Sequence, residues 1–320
     1  MKRQMVQFGE KRDMKRQDRA ERRLCRTVCA ASVLCAALFL TACAGESPAA
    51  GQSGQDASTK QIGQDEDWLA QRIKRDGRTK HDLQTEPEDM EKAERVDLDA
   101  CENGKVVLSG SNIWLSGSLE GQVIIDTEED ELVHLYLAGV EITSPNGPAL
   151  WVQEASKAVV TLVSDTENML TDSPDYTGYE ETPACLYSVC DLTVNGSGTM
   201  QVFGYCEDGV RSRDRIKLLD GDLSVQAKGD GIRGNDGIYM QGASVVVESE
   251  KNGLRTVNQG DNDRGVIEMN GGILSVIAGK NGISAASDLY LYHGRCSVNA
   301  VEETVKAEGS VYIADGVQGL

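Results

Sequence analysis

The sequence predicts an all-β protein, a single-stranded parallel β-helix of about 22 residues per coil, preceded by a signal peptide and a flexible tether. Three observations predict it. A short turn recurs as Asp208-Gly209-Val210, Asp230-Gly231-Ile232, Asn252-Gly253-Leu254, Asn281-Gly282-Ile283 and a faded Glu303-Thr304-Val305, at intervals of 22, 22, 29 and 22 residues. Between these turns apolar and polar residues alternate with the period of a half-buried strand. Aromatic residues make up only 5% of the chain and glycines number 34, which suits stacked strands and tight turns better than a bulky globular core.

Taken in order, residues 1–42 read as a lipoprotein signal peptide. A Lys- and Arg-rich start is followed by the apolar or small run Thr27–Ala42, too short to span a bilayer and of signal-peptide length. It closes on Leu40-Thr41-Ala42-Cys43, which resembles the bacterial lipobox and makes Cys43 the expected lipidated residue, on an extracytoplasmic membrane surface. Residues 43–103 are polar and charged, read as a tether with a weak helix around Asp67–Arg75. The β-helix is expected over 104–320, with less regular early coils from Val106 and a loop over Ser164–Pro183. Cys101, Cys185, Cys190, Cys206 and Cys296 lack paired spacing and read mostly as small core residues.

Charge limits the partners. Residues 1–42 hold ten Lys/Arg and four Asp/Glu, so the remainder carries 22 basic and 47 acidic side chains, a formal −25. Such a body is a poor nucleic-acid binder. Aligning the coils sets Ile216, Ile238, Ile267, Leu289 and Val311 in one inward column and Leu218, Met240, Met269, Leu291 and Ile313 in the next. The marker turns add outward columns. Arg211, Arg233, Arg255, Ser284 and Lys306 run beside Asp208, Asp230, Asn252, Asn281 and Glu303. Stacked arginines repel and want anions between them. Two readings fit: the aspartates supply those anions structurally, or the column grips a polyanion such as a polyuronate.

A further outward column, Lys217, Tyr239, Glu268, Tyr290 and Tyr312, either packs as a ladder or stacks sugar rings through its tyrosines. Oxygen-rich side chains in the inserted loop, Asp261 and Asp263 among them, either make turns or hold Ca²⁺. The chain has no phosphate-binding glycine loop, zinc spacing or nucleophile elbow, and His81, His134 and His293 are scattered.

The segments Asn168–Asp172 and Leu186–Gly198, with the Asp-Gly-Ile-type markers, resemble a family of bacterial carbohydrate-binding surface proteins with a polysaccharide-lyase-like right-handed β-helix. The chain departs from the family pattern at Val189, where a Lys is usual, and at Asn252 and Asn281, where the markers are usually Asp. The resemblance implies binding of cellulose or acidic sugars without demonstrated catalysis, with Ca²⁺ held on the helix. The expected function is a non-catalytic, surface-anchored binder of acidic polysaccharide such as polygalacturonate, or of cellulose. Its expected contact strip is Asp208, Arg211, Asp230, Arg233 and Arg255 with Tyr239 and Tyr290, and its expected calcium ligands are Asp208, Asp230, Asp261 and Asp263. A calcium-assisted polyuronate lyase and a structural surface protein or adhesin are the alternatives.

Overall fold

Each coil must bury alternate branched residues on one strand face and turn sharply every few residues. The computed structural model describes residues 77–88, 91–260 and 264–320. Among these, twenty-five strands form one continuous paired set, β1–β25 in chain order. From the fifth strand onward each bonds the strand three further along, which is consistent with a parallel β-helix laying down three strands per turn.

The strands fall into three rows, opened by two long strands that bend across them, β3 (Asn112–Asp126) and β4 (Leu132–Thr143). The first row continues through β6 (Lys157–Leu162), β9 (Asp191–Gly196), β12 (Arg215–Leu218), β15 (Gly237–Met240), β18 (Val266–Met269), β21 (Leu289–Leu291) and β24 (Val311–Ile313). The second contains β7 (Glu167–Thr171), β10 (Thr199–Gly204), β13 (Asp222–Ala227), β16 (Ser244–Ser249), β19 (Ile273–Ala278) and β22 (Gly294–Ala300). The third contains β5 (Leu150–Glu154), β8 (Ala184–Ser188), β11 (Asp208–Ser212), β14 (Ile232–Gly234), β17 (Leu254–Arg255), β20 (Ile283–Ala285) and β23 (Val305–Ala307). The register pairs Ile216 with Ile238, Ile238 with Ile267 and Ile267 with Leu289, as the alignment predicts. These inward side chains are buried in a continuous core, while Val311 and Ile313 of the last coil are about half exposed.

The marker turn has a physical basis that its regularity alone did not reveal. A Cβ on Gly231 would clash with Val247 Cγ1 and lie 2.8 Å from the carbonyl oxygen of Gly253, one coil on. Gly209 and Gly253 meet the equivalent crowding, so glycine is required by close approach rather than by backbone angle. The preceding residue links coils: Asp208 Oδ1 accepts the Asp230 N–H at 2.8 Å, and Asp230 Oδ1 accepts Asn252 N–H and Nδ2 at 3.1 and 2.7 Å. Asn252 Oδ1 continues the ladder to Asn281 Nδ2 at 2.9 Å.

Two expectations need correction. The expected loop 164–183 contains strand β7, with Asn168 and Leu170 buried. The inward polar residue disguised the alternation; Asn168 Oδ1 accepts the N–H groups of Gly139 and Val140 at 3.0 and 3.1 Å. The expected tether 43–103 is structured over its later part. Lys80–Leu83 forms a 3-10 turn and β1 spans Glu94–Asp97, pairing with β3. Asp82 fastens this strap to the first row, accepting from Lys157 Nζ at 2.8 Å and Thr193 Oγ1 at 2.5 Å, with fully buried Lys217 Nζ 3.9 Å away. Burial pushes the Asp82 carboxyl up, but Lys157, Thr193 and Lys217 together outweigh it and hold the pKa down at about 2. Cys43 and the expected helix around Asp67–Arg75 lie outside the described residues.

Candidate functional site

The third row gives the arginine column its geometry. In β11 the triplet Val210-Arg211-Ser212 points in, out and in, and β14 and β17 repeat the pattern. Pairing aligns Arg211 with Arg233 and Arg233 with Arg255, followed by Ser284 and Lys306, at roughly 4.8 Å per step. The guanidinium side chains are 17%, 21% and 39% exposed along the column, so it emerges progressively from the surface.

The neighbouring acidic column does not face solvent as expected. The Asp208 and Asp230 side chains are 5% and 1% exposed, with one oxygen of each committed to the ladder between coils. Arg211 and Arg233 share the other oxygen of Asp208 at 3.6 and 3.9 Å, and Arg255 reaches Asp230 at 3.2 Å. Burial, and next the charge of Asp230, push the Asp208 carboxyl up to about 6. Burial, and next the flanking Arg211, weaken the hold of Arg233 on its proton. Asp208 Oδ2 and the Nε atoms of Arg211 and Arg233 are buried without a hydrogen-bond partner. Three guanidiniums thus share two carboxylates, one of them favoured neutral only below about pH 6. The column retains capacity for an outside anion.

Calcium does not fit at Asp208 and Asp230. The ion takes six to eight oxygens at about 2.3–2.6 Å, whereas these carboxylates already accept N–H groups and face guanidiniums. Among the described residues, no group of three His, Cys, Asp or Glu side chains is placed to hold a metal ion. Asp261 and Asp263 lie outside the described residues.

Tyr239 is also corrected: it is 3% exposed and offers no face to a sugar. Tyr290, half-buried, donates its hydroxyl to Asp288 at 3.0 Å. Both belong to the first row and stand apart from the arginines. In the same row the structure brings His81 and His134 to one cavity of about 360 Å³, also lined by Glu88 and Glu131. Burial, and next His81, lower the His134 pKa to about 4, and its Nε2 meets Thr161 Oγ1 at 2.7 Å.

Two residues in register with the strip were missed, one half-buried and one buried. Register extends the arginine column backwards to Tyr187 and Trp151. The Tyr187 ring lies 5.8 Å from the Arg211 guanidinium, and Tyr179 meets Trp151 edge-on at 6.0 Å. Leu150-Trp151-Val152 and Leu186-Tyr187-Ser188 have the same in-out-in pattern as Val210-Arg211-Ser212, so carrying the alignment back across the loop would have found them.

Comparison with known proteins places this geometry. Residues 103–319 match the family model described as carbohydrate-binding domain-containing protein. A carbohydrate-binding domain-containing protein of Acetivibrio thermocellus is 25% identical over 205 residues, covering 62% of this chain and 71% of that protein. The solved structure of the polysaccharide lyase-like protein from C. thermocellum, a gadolinium derivative, superposes with a TM-score of 0.63 at 23% identity. The match covers 71% of this chain and 90% of that one, a likeness of fold.

Proposed function

The chain belongs to the family of carbohydrate-binding domain-containing proteins, and from that premise we propose that it is a non-catalytic binder of acidic polysaccharide, held at the outer face of a membrane through Cys43. The winding is proposed right-handed, the usual hand of crossovers between parallel strands. The observation that carries the reading is the ladder Arg211, Arg233 and Arg255, stacked one per coil with fewer carboxylates than guanidiniums beside it. A polyuronate such as polygalacturonate offers a row of carboxylates to guanidinium forks. Trp151, half-buried, continues the line at its N-terminal end, while Tyr187, between it and Arg211 in register, is 3% exposed and offers no face to a sugar. Cellulose, uncharged, has no use for this ladder.

Affinity electrophoresis in gels containing polygalacturonate, cellulose derivative or no polymer tests the reading. Retardation by polygalacturonate that drops for Arg233→Ala supports it. Equal retardation of the wild type and the variant overturns it.

The likeness of fold to a polysaccharide lyase-like protein motivates a lyase alternative. New ultraviolet absorbance from an unsaturated product during incubation with polygalacturonate would establish that reading over the non-catalytic one.

A further inference from the structure

Asp208 is both a rung of the ladder and an anion inside the arginine strip. Its Oδ1 accepts the Asp230 N–H at 2.8 Å. Its Oδ2, buried and without a hydrogen-bond partner, lies 3.6 Å from Arg211 and 3.9 Å from Arg233. The protein thus holds its own competitor for two of the three guanidiniums that face a polymer. Both contacts are longer than a hydrogen bond, so the two forks are attracted to Asp208 without being saturated by it.

The charged groups around Asp208 come from three coils. Glu207 and Arg211 belong to its own coil, and Asp230 and Arg233 to the next. Lys251, from the coil after, pairs with Glu207 at 2.6 Å, and Tyr187 of β8 lies against Arg211 on the other side. None of them is a histidine. Burial first, and Asp230 next, bring the Asp208 carboxyl up to about 6. A ligand carboxylate on Arg211 and Arg233 adds a second like charge and raises it further. Binding then takes up a proton, and by linkage affinity grows as pH falls through that interval.

We propose that Asp208 is a proton-operated gate on the arginine strip: charged, it occupies Arg211 and Arg233 itself, and protonated, it leaves both to an incoming polyanion. The gate rests on the acidic-polysaccharide reading and adds the regulation of that site: tighter binding at mildly acid pH. The direction is opposite to that set by the polymer, whose carboxylates lose charge on acidification. At pH 5 those carboxylates, with ordinary pKa values of about 3.5–4, remain mostly ionised.

Affinity electrophoresis with polygalacturonate at pH 5 and pH 8, at constant ionic strength, tests the gate on the full chain and on Asp208→Asn. The wild type should bind about three- to eightfold more tightly at pH 5, the range for a carboxyl whose pKa rises by roughly half to one unit on binding. The variant, neutral at both pH values, should bind about equally at both, near the pH 5 affinity of the wild type. A wild type without pH dependence overturns the gate. So does an Asp208→Asn variant with the wild-type slope, which would move the effect to general surface charge or to Asp172, raised to about 6 by burial among Tyr176 and the Tyr205 N–H. Calorimetry of the wild type with polygalacturonate at pH 6.5, in two buffers of different ionisation enthalpy, needs no variant. It should show uptake of about a quarter to a half of a proton per occupied strip, and zero uptake overturns the gate. Absence of retardation at either pH sinks the polysaccharide reading and the gate together, whereas retardation without a slope sinks the gate alone.

Discussion

Replacing Asp208 by Asn separates the two roles that the ladder assigns to this side chain. Asn keeps the oxygen that accepts the Asp230 N–H at 2.8 Å and removes the charge that faces Arg211 and Arg233 at 3.6 and 3.9 Å. Ordinary ion-pair reasoning predicts a loss of stability. The titration predicts the opposite. A carboxyl moved from 3.8 to about 6 by burial and by Asp230 is favoured neutral in the folded protein by about 3 kcal/mol, arginines included. The sign follows from proton counts. Between pH 3.8 and about 6 the folded state binds the extra proton, so stability falls as pH rises through that window and stays lower above it. Asp208→Asn should therefore stabilise by about 1–3 kcal/mol at pH 8 and change little at pH 4. For a domain of this size that corresponds to a rise in Tm of roughly 2–10 °C at pH 8. Thermal denaturation at the two pH values, followed by circular dichroism, reads it directly. A lower Tm at pH 8 would show Asp208 to be a needed counter-ion and would refute the argument. The same substitution releases two guanidiniums, so retardation by polygalacturonate at pH 8 should increase.

Other consequences are open to measurement. Arg233→Ala should weaken polygalacturonate binding about 10- to 100-fold, the range of a charge-assisted hydrogen-bonded contact, and the loss should shrink with added salt. Excess EDTA should leave retardation unchanged, because the carboxylates of Asp208 and Asp230 are occupied by N–H donors; a loss of binding would point to a metal elsewhere. Asp82→Asn should cost about 2–3 kcal/mol at pH 7 in denaturant titration. The lowered Asp82 pKa gives stability that is present above about 3.8 and lost as pH falls through about 2, so the two proteins should converge there. Gly231→Ala should destabilise strongly, with Val247 Cγ1 and the Gly253 carbonyl in the way; a neutral effect would contradict the close-packed account of the marker turn.

The core was legible because each inward position repeats on every coil. Substitution of Leu for Ile, or Cys for Leu at Cys296, leaves the alternation intact. Strand β7 was hidden because its inward residue at 168 is an amide, whose burial depends on the N–H groups of Gly139 and Val140, far away in sequence. The ordered strap was hidden for the same reason: Asp82 reads as one more acid in a polar stretch until Lys157, Thr193 and Lys217 surround it.

The sequence by itself determined the coil length, the register and the stacking of Arg211, Arg233 and Arg255, since local alternation and a fixed period specify which residues share a line. Only the tertiary structure decided which outward positions meet solvent. Alternation says that a side chain leaves the core; it does not say whether another part of the chain lies over it. Asp208 and Asp230 turn into the ladder between coils, and Lys217 is buried against Asp82 of the strap and Asp191. The arginines remain at the surface, where long-range packing leaves them within reach of a ligand.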